Sequence, residues 1–115
     1  MHELSIANSI LDAVRAEVAR RPGAHLSKVG VRVGELSGVE PDSLSFCFES
    51  LVRASDLEPL ALDIEPCPRR QRCPECDRTF RVVDYNTTCP DCGSADTRCI
   101  SGDELEMTYL EIEEL

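Results

Sequence analysis

Cys73-Pro74-Glu75-Cys76, twelve intervening residues, and then Cys89-Pro90-Asp91-Cys92-Gly93 form the stretch that decides how this chain is built. Each pair is a Cys-x-x-Cys knuckle, a spacing that lets two thiolates converge on one ion. Two knuckles complete the tetrahedral sulfur set of a closed structural Zn²⁺ site. A closed site holds a fold together and leaves no open position for chemistry, so function must be sought elsewhere in the chain.

A lone Cys-x-x-Cys pair also serves redox chemistry, but two at ribbon-like spacing read as a metal site. Four thiolates suit iron as well as zinc, as in electron carriers that wrap the iron in aromatic residues. With no Trp, two Tyr and three Phe in the chain, zinc is favoured over iron. The segment 67–99 around the knuckles is too short and too polar to bury a core, so metal binding has to supply its folding free energy. Residues 1–66 plus 100–115 carry enough Leu, Ile and Val for a modest core of their own. At 115 residues the expectation is one compact domain carrying a small inserted module.

The formal charge is −10, from 22 acidic and 12 basic residues. That sign argues against a nucleic-acid binder, which needs a basic surface. Closing a four-thiolate zinc site moves the sum to about −12. Arg69, Arg70, Arg72, Arg78 and Arg81 crowd the first knuckle. They read either as local compensation of a dianionic zinc–thiolate cluster or as a docking patch for an acidic partner. No basic-then-apolar leader is visible at the start, and no stretch is long enough to cross a membrane. Seven cysteines, four of them committed to metal, suit a reducing compartment, and the expected location is cytoplasmic.

Residues 4–21 have the three-four apolar spacing of an amphipathic helix, with Ala7, Ile10, Leu11, Val14 and Val18 on one stripe. Arg20 and Arg21 suit its C-terminal dipole, and Pro22-Gly23 ends it. From Leu26 to about Val39 the period changes to two, with Val29, Val31 and Val33 on one face. Lys28, Gly30, Arg32 and Gly34 lie on the other, where the two glycines permit a bend or a close neighbour. Pro41-Asp42-Ser43 opens a second helix with Leu44, Cys47, Phe48, Leu51 and Val52 as its apolar stripe. Leu60, Leu62 and Ile64 mark a second strand. Glu104–Glu113 marks a third, whose parity changes after Tyr109 in the manner of a bulge. The order predicts an α+β fold: two helices on one face of a three-stranded sheet, with the zinc ribbon-like module inserted between the second and third strands.

Met1-His2-Glu3 offers a separate metal chemistry. The α-amine of Met1, the backbone nitrogen of His2 and its imidazole form a five- and a six-membered chelate ring around one ion. Deprotonating that amide requires a metal favouring tetragonal nitrogen geometry, Ni(II) or Cu(II). The backbone or side chain of Glu3, or water, can supply a fourth ligand. On its own a histidine at position 2 is most often a solvated side chain. His25, between Pro22-Gly23 and a strand, reads as a turn or capping residue.

Together these parts resemble the HypA/HybF family, nickel metallochaperones of [NiFe]-hydrogenase maturation. The resemblance rests on Met1-His2-Glu3 followed at once by the amphipathic helix, on Val31-Arg32-Val33-Gly34-Glu35-Leu36, on the paired knuckles, and on Gly102-Asp103-Glu104-Leu105-Glu106. It spans essentially the whole chain in the same order. It implies that nickel is held by His2, the Met1 amine and the Glu3 backbone, and that structural zinc sits on Cys73, Cys76, Cys89 and Cys92. It further implies delivery of nickel to the hydrogenase large-subunit precursor together with a nickel-binding GTPase, and in some bacteria service to urease maturation. No nucleophile–base pair, Gly-rich phosphate loop or open metal site argues for an enzyme.

Three further thiols have no counterpart in that pattern. Cys67 and Cys99 bracket the metal module; they read as small buried hydrophobes, or, if the entering and leaving segments align them, as a redox-sensitive latch. Cys47 lies on the apolar stripe of the second helix and reads as core.

Overall fold

The computed structural model describes residues 2–113. The first element, α1 (Glu3–Arg20), buries Ala7, Ile10, Leu11 and Val14 of the predicted stripe; Ile6 joins them, and Val18 is only partly buried. It stops where the Arg21 N–H returns to the Val18 carbonyl at 3.1 Å and Gly23 takes φ +85°. Strand β1 (His25–Gly34) follows, with Val29, Val31 and Val33 turned inward and essentially inaccessible. It ends at Gly34 and not near Val39, because Ser37 N–H bonds back to the Gly34 carbonyl at 3.0 Å and forms a turn.

Helix α2 (Pro41–Val52) is started by Glu40, whose carboxylate accepts the Ser43 N–H at 2.7 Å, and by Pro41 preset for the first turn. Leu44, Phe48 and Val52 are buried; Cys47 and Leu51 are half-buried against the same core. Strand β2 (Ala61–Cys67) then runs parallel to β1, so β1, α2 and β2 form a crossover unit.

The last strand, β6 (Leu105–Glu113), lies antiparallel along the other side of β1, giving the order β2-β1-β6. The pairing steps from Gly30↔Tyr109 to Val31↔Met107, so Thr108 is the extra residue of a bulge. That bulge reconciles the two parities of the strand: Leu105, Met107 and Leu110 pair with the inward valines, while Glu106, Tyr109 and Glu111 pair with Arg32, Gly30 and Lys28. Both helices cover the valine face. This is the expected α+β arrangement.

The inserted segment has a sheet of its own, which its composition did not reveal: β3 (Arg70–Arg72) between β4 (Thr79–Arg81) and β5 (Arg98–Ser101). Its apolar cluster is only Cys73, Phe80 and Cys89. The molecule measures 56 × 26 × 16 Å with a radius of gyration of 18.1 Å, against about 13 Å for a compact domain of this length. The elongation comes from two sheets placed end to end.

Their junction is tight. Gly34 N–H donates to the Glu104 carbonyl at 2.6 Å, Leu36 N–H to the Gly102 carbonyl at 2.6 Å, and Glu35 N–H to the Cys67 carbonyl at 2.9 Å. A Cβ on Gly34 would stand 2.1 Å from the Gly102 carbonyl oxygen. The Glu35 carboxylate accepts the Arg69 N–H at 3.4 Å and lies 4.0 Å from the Arg81 guanidinium. The Val-Gly-Glu-Leu run thus ties one sheet to the other.

Candidate metal centres

The two knuckles are the same turn made twice. In the first, Cys73 N–H donates to the Arg78 carbonyl and Asp77 N–H to the Cys73 carbonyl, each at 2.8 Å. In the second, Cys89 N–H donates to the Ser94 carbonyl at 2.9 Å and Gly93 N–H to the Cys89 carbonyl at 3.0 Å. The residue after each second cysteine is left-handed, Asp77 at φ +66° and Gly93 at φ +75°. A glycine or an aspartate is the residue expected there.

Face to face, these turns gather the four sulfurs of Cys73, Cys76, Cys89 and Cys92 within 4.8 Å of one another. Cys73 meets Cys92, and Cys76 meets Cys89, each at 3.5 Å, and all four are free thiols. A tetrahedral ion with metal–sulfur bonds of about 2.3 Å would space its sulfurs about 3.8 Å apart. The observed set brackets that value, so the donors fit a closed four-thiolate site. Cys73 and Cys89 are buried against Phe80, and Cys76 and Cys92 lie at the surface.

The crowding also splits the thiols electrostatically. Backbone N–H groups of Cys92 and Asp91 point at Cys89, help its thiolate, and bring it down to about 7. Cys92 receives help from the Ser94 N–H, but its thiol neighbours, Cys73 first, push it up to about 12. Four thiols this close cannot all ionise without a cation among them.

The arginines near the cluster find carboxylates. Arg78 holds Asp91 through a pair of contacts at 2.9 and 3.0 Å, Arg72 pairs with Asp77, and Arg81 approaches Glu35. Three of the five thus pair with carboxylates, Asp77 and Asp91 within the knuckles and Glu35 at the junction of the two sheets, which is a different role from compensating the thiolates.

At the other end of the chain, His2 is exposed and is the N-cap of α1, with extended backbone angles of φ −84° and ψ 134°. Its carbonyl accepts the N–H groups of Ser5 at 3.1 Å and Ile6 at 3.3 Å. The N–H groups of His2, Glu3 and Leu4 point out of the helix end, where the helix offers them no acceptor. Glu3 is the first helical residue. Met1, whose amine completes the expected chelate, lies outside the described residues.

The remaining candidates divide. His25 opens β1 opposite Glu113, as a strand residue and not a turn or cap. Cys47 packs on the core as expected. Cys67 and Cys99 do not form the latch that symmetry about the module invited. Cys99 stands opposite Gln71 on β3, whereas the Cys67 thiol donates to the Glu65 carbonyl at 3.8 Å and feels the Glu104 carboxylate. The leaving segment thus offers Cys67 a carboxylate and not a thiol. Desolvation, and then the charges of Glu104 and Glu65, push the Cys67 thiol up and make it a poor nucleophile. Nor is Cys99 a buried hydrophobe; it is exposed. Among the described residues no helix is long and apolar enough to cross a membrane.

Residues 1–112 match the family described as hydrogenase/urease nickel incorporation, metallochaperone, hypA. The chain is 39% identical over 113 residues to the hydrogenase maturation factor HypA of Geobacter metallireducens, covering 98% of this chain and 100% of that one. It is 40% identical over 114 residues to the HypA of Chlorobaculum parvum, again over 98% and 100% of the two chains. The fold is that of the solution structure of the nickel metallochaperone HypA from Helicobacter pylori, with a TM-score of 0.65 at 22% identity over 100% of both chains. A whole-length family match and whole-length relatives near two-fifths identity place this chain in the HypA family of nickel-incorporation metallochaperones.

Proposed function

We propose that this protein carries Ni(II) as cargo at its N-terminus during hydrogenase maturation. The ligands are the Met1 amine, the His2 imidazole and backbone nitrogen, and the Glu3 backbone. The observation that carries this reading is the placement of His2: exposed, extended, its carbonyl engaged by α1 while its side chain makes no capping hydrogen bond to the helix. The positive end of the helix dipole favours an anionic amide over a neutral one, and so helps the deprotonation that tetragonal nickel requires. A chain end can also surrender its ligands one at a time to a partner.

Zinc on Cys73, Cys76, Cys89 and Cys92 is structural in this reading. When bound it neutralises the crowded thiolates and ties the two knuckles together. The working division is a nickel-binding unit, 1–66 plus 100–115, and a zinc-binding unit, 67–99, except that the end of β5, through Ser101, goes with the second unit by its pairing with β3. The protein acts in the cytoplasm as a carrier and not an enzyme. It passes nickel, with a nickel-binding GTPase, to the hydrogenase large-subunit precursor, and to urease maturation proteins where a host makes urease.

Metal analysis of untagged protein before and after Ni(II) tests the assignment. The expected result is one zinc throughout, with one nickel gained by the wild type and not by His2→Ala. Equal nickel uptake by both proteins removes the N-terminal site.

A further inference from the structure

Strand β6 forms one margin of the main sheet, paired along its length with β1 alone among the described residues. A long strand margin with unused backbone N–H and C=O groups is a template for another strand, and proteins usually blunt or cover it. Here it contains neither Pro nor Lys, and its guards are the Thr108 bulge and three glutamates, a negative row that a basic strand can meet. Beside it, on the helix side of the sheet, is a groove of about 260 Å³ between β6 and the N-terminal half of α1. Leu105 and Met107, 39% and 40% exposed, form one wall. Ser5, Ser9 and Ala13, one per helical turn, keep the other wall low.

The opposite face of the strand has a different chemistry. Glu106, Glu111 and Glu113 alternate with the apolar positions; among the described residues only Glu106 is ion-paired, with Arg32 at 3.4 Å, while Glu111 stands opposite Lys28 in the ladder without an ion pair. A strand added to β6 would therefore place one set of alternate side chains over the groove and the other set beside carboxylates. A second copy of this chain fits poorly, because pairing β6 with itself would line up glutamates on one face, and like charges opposite one another destabilise a sheet.

We propose that β6 is a docking edge for an extended segment of a partner protein. That segment carries apolar residues on one parity and Lys or Arg on the other, and adds as a fourth strand. The groove begins at Ser5, three residues from His2. On the nickel reading, from which only this consequence follows, a docked partner segment lies beside the cargo. Strand addition itself needs no nickel.

The test uses the full-length zinc-loaded protein without nickel and a synthetic peptide of about ten residues alternating Val and Lys, enough for one strand. The control peptide alternates Val and Glu. The Val/Lys peptide should slow hydrogen exchange of the 105–113 amides, and the Val/Glu peptide should not. Its affinity should fall severalfold from ~0.05 M to ~0.5 M salt, as the Debye length shrinks from roughly 14 Å to roughly 4 Å. Ser9→Leu fills the groove from an exposed helix position, and Glu111→Lys reverses an exposed charge. Each should abolish the protection while leaving the circular dichroism unchanged. Peptide binding without protection at 105–113, equal binding of the two peptides, or no binding would overturn the proposal. So would concentration-dependent dimerisation that protects β6, since the occupant would then be a second copy. Because nickel is absent throughout, failure here leaves the His2 site standing, and failure of that site leaves this result standing.

Discussion

The hydroxyl of Tyr109 donates to the carboxylate of Asp63, joining the two outer strands of the main sheet across the middle one. The ring lies over Gly30, where a Cβ would stand 2.0 Å from its edge. Asp63 and Tyr109 both pair with Gly30 in the ladder, so the three residues form one row on the solvent face. Beside that row, Arg32 of the middle strand reaches both outer ones, Glu65 at 2.9 Å and Glu106 at 3.4 Å.

That bond holds the Tyr109 proton. Donation to Asp63, with some desolvation, pushes the phenol up to about 12. Its folded value lies above the unfolded one, near ~10, so its contribution to stability is intact below pH ~10 and is lost as the pH rises toward about 12. In Tyr85→Phe protein the remaining tyrosine should ionise near 12 by tyrosinate absorbance, and adding Asp63→Asn should bring it down. A titration unmoved by Asp63→Asn would remove the bond from the account.

Two glycines of β1 should respond differently to alanine. At Gly30 the obstacle is the Tyr109 ring, a side chain that can swing aside, so Gly30→Ala should fold while losing the raised tyrosine titration. At Gly34 the obstacle is the Gly102 carbonyl, which belongs to the tight junction between the sheets. Overpacking against backbone costs about 1–3 kcal/mol. Gly34→Ala should therefore lower the thermal midpoint clearly more than Gly30→Ala, and equal shifts would argue against a rigid junction.

Removing the zinc-site metal should unfold one part and spare the other. The inserted segment buries only Gln71, Cys73, Phe80, Val82 and Cys89, whereas the helices and the β2-β1-β6 sheet share a core of thirteen buried residues. With a chelator, amides 70–101 should lose hydrogen-exchange protection and four thiols should become reactive, while helical circular dichroism stays near its starting value. Loss of all structure in a single step would show that the two parts depend on one metal.

The α2 cap gives a test in acid. The Ser43 N–H holds the Glu40 carboxyl below the usual carboxylate range. A lowered folded value stabilises above the unfolded value, near ~4.3, and that stabilisation disappears as the pH falls through the folded one. Glu40→Gln should lower the thermal midpoint at neutral pH and converge with wild type in strong acid. A difference that does not change with pH would mean that the charge of the cap contributes nothing.

Much of this architecture could be read from residue spacing. The valines at 29, 31 and 33 and the stripes of α1 and α2 announce their buried faces, and the change of parity near Tyr109 announces the Thr108 bulge. The second sheet could not be read, because strands of three or four residues such as Arg70–Arg72 are set by the knuckles and not by alternation. The roles of Glu35 and Gly102 could not be read either, since they are contacts between distant segments, made by backbone groups and by the Glu35 carboxylate. Symmetry about the module misled for Cys67 and Cys99: the β3–β5 pairing is offset, and brings Cys99 to Gln71. The sulfur cluster was legible residue by residue, because a fixed Cys-x-x-Cys spacing dictates the turn that aims its thiols.

The most direct test of the central claim is a Ni(II) titration of the zinc-loaded protein in two forms, one with a free Met1 amine and one acetylated there, followed by visible absorbance. The account predicts one tetragonal nickel site on the free form and loss of that site on the acetylated form. Identical nickel spectra and affinity for the two would contradict it.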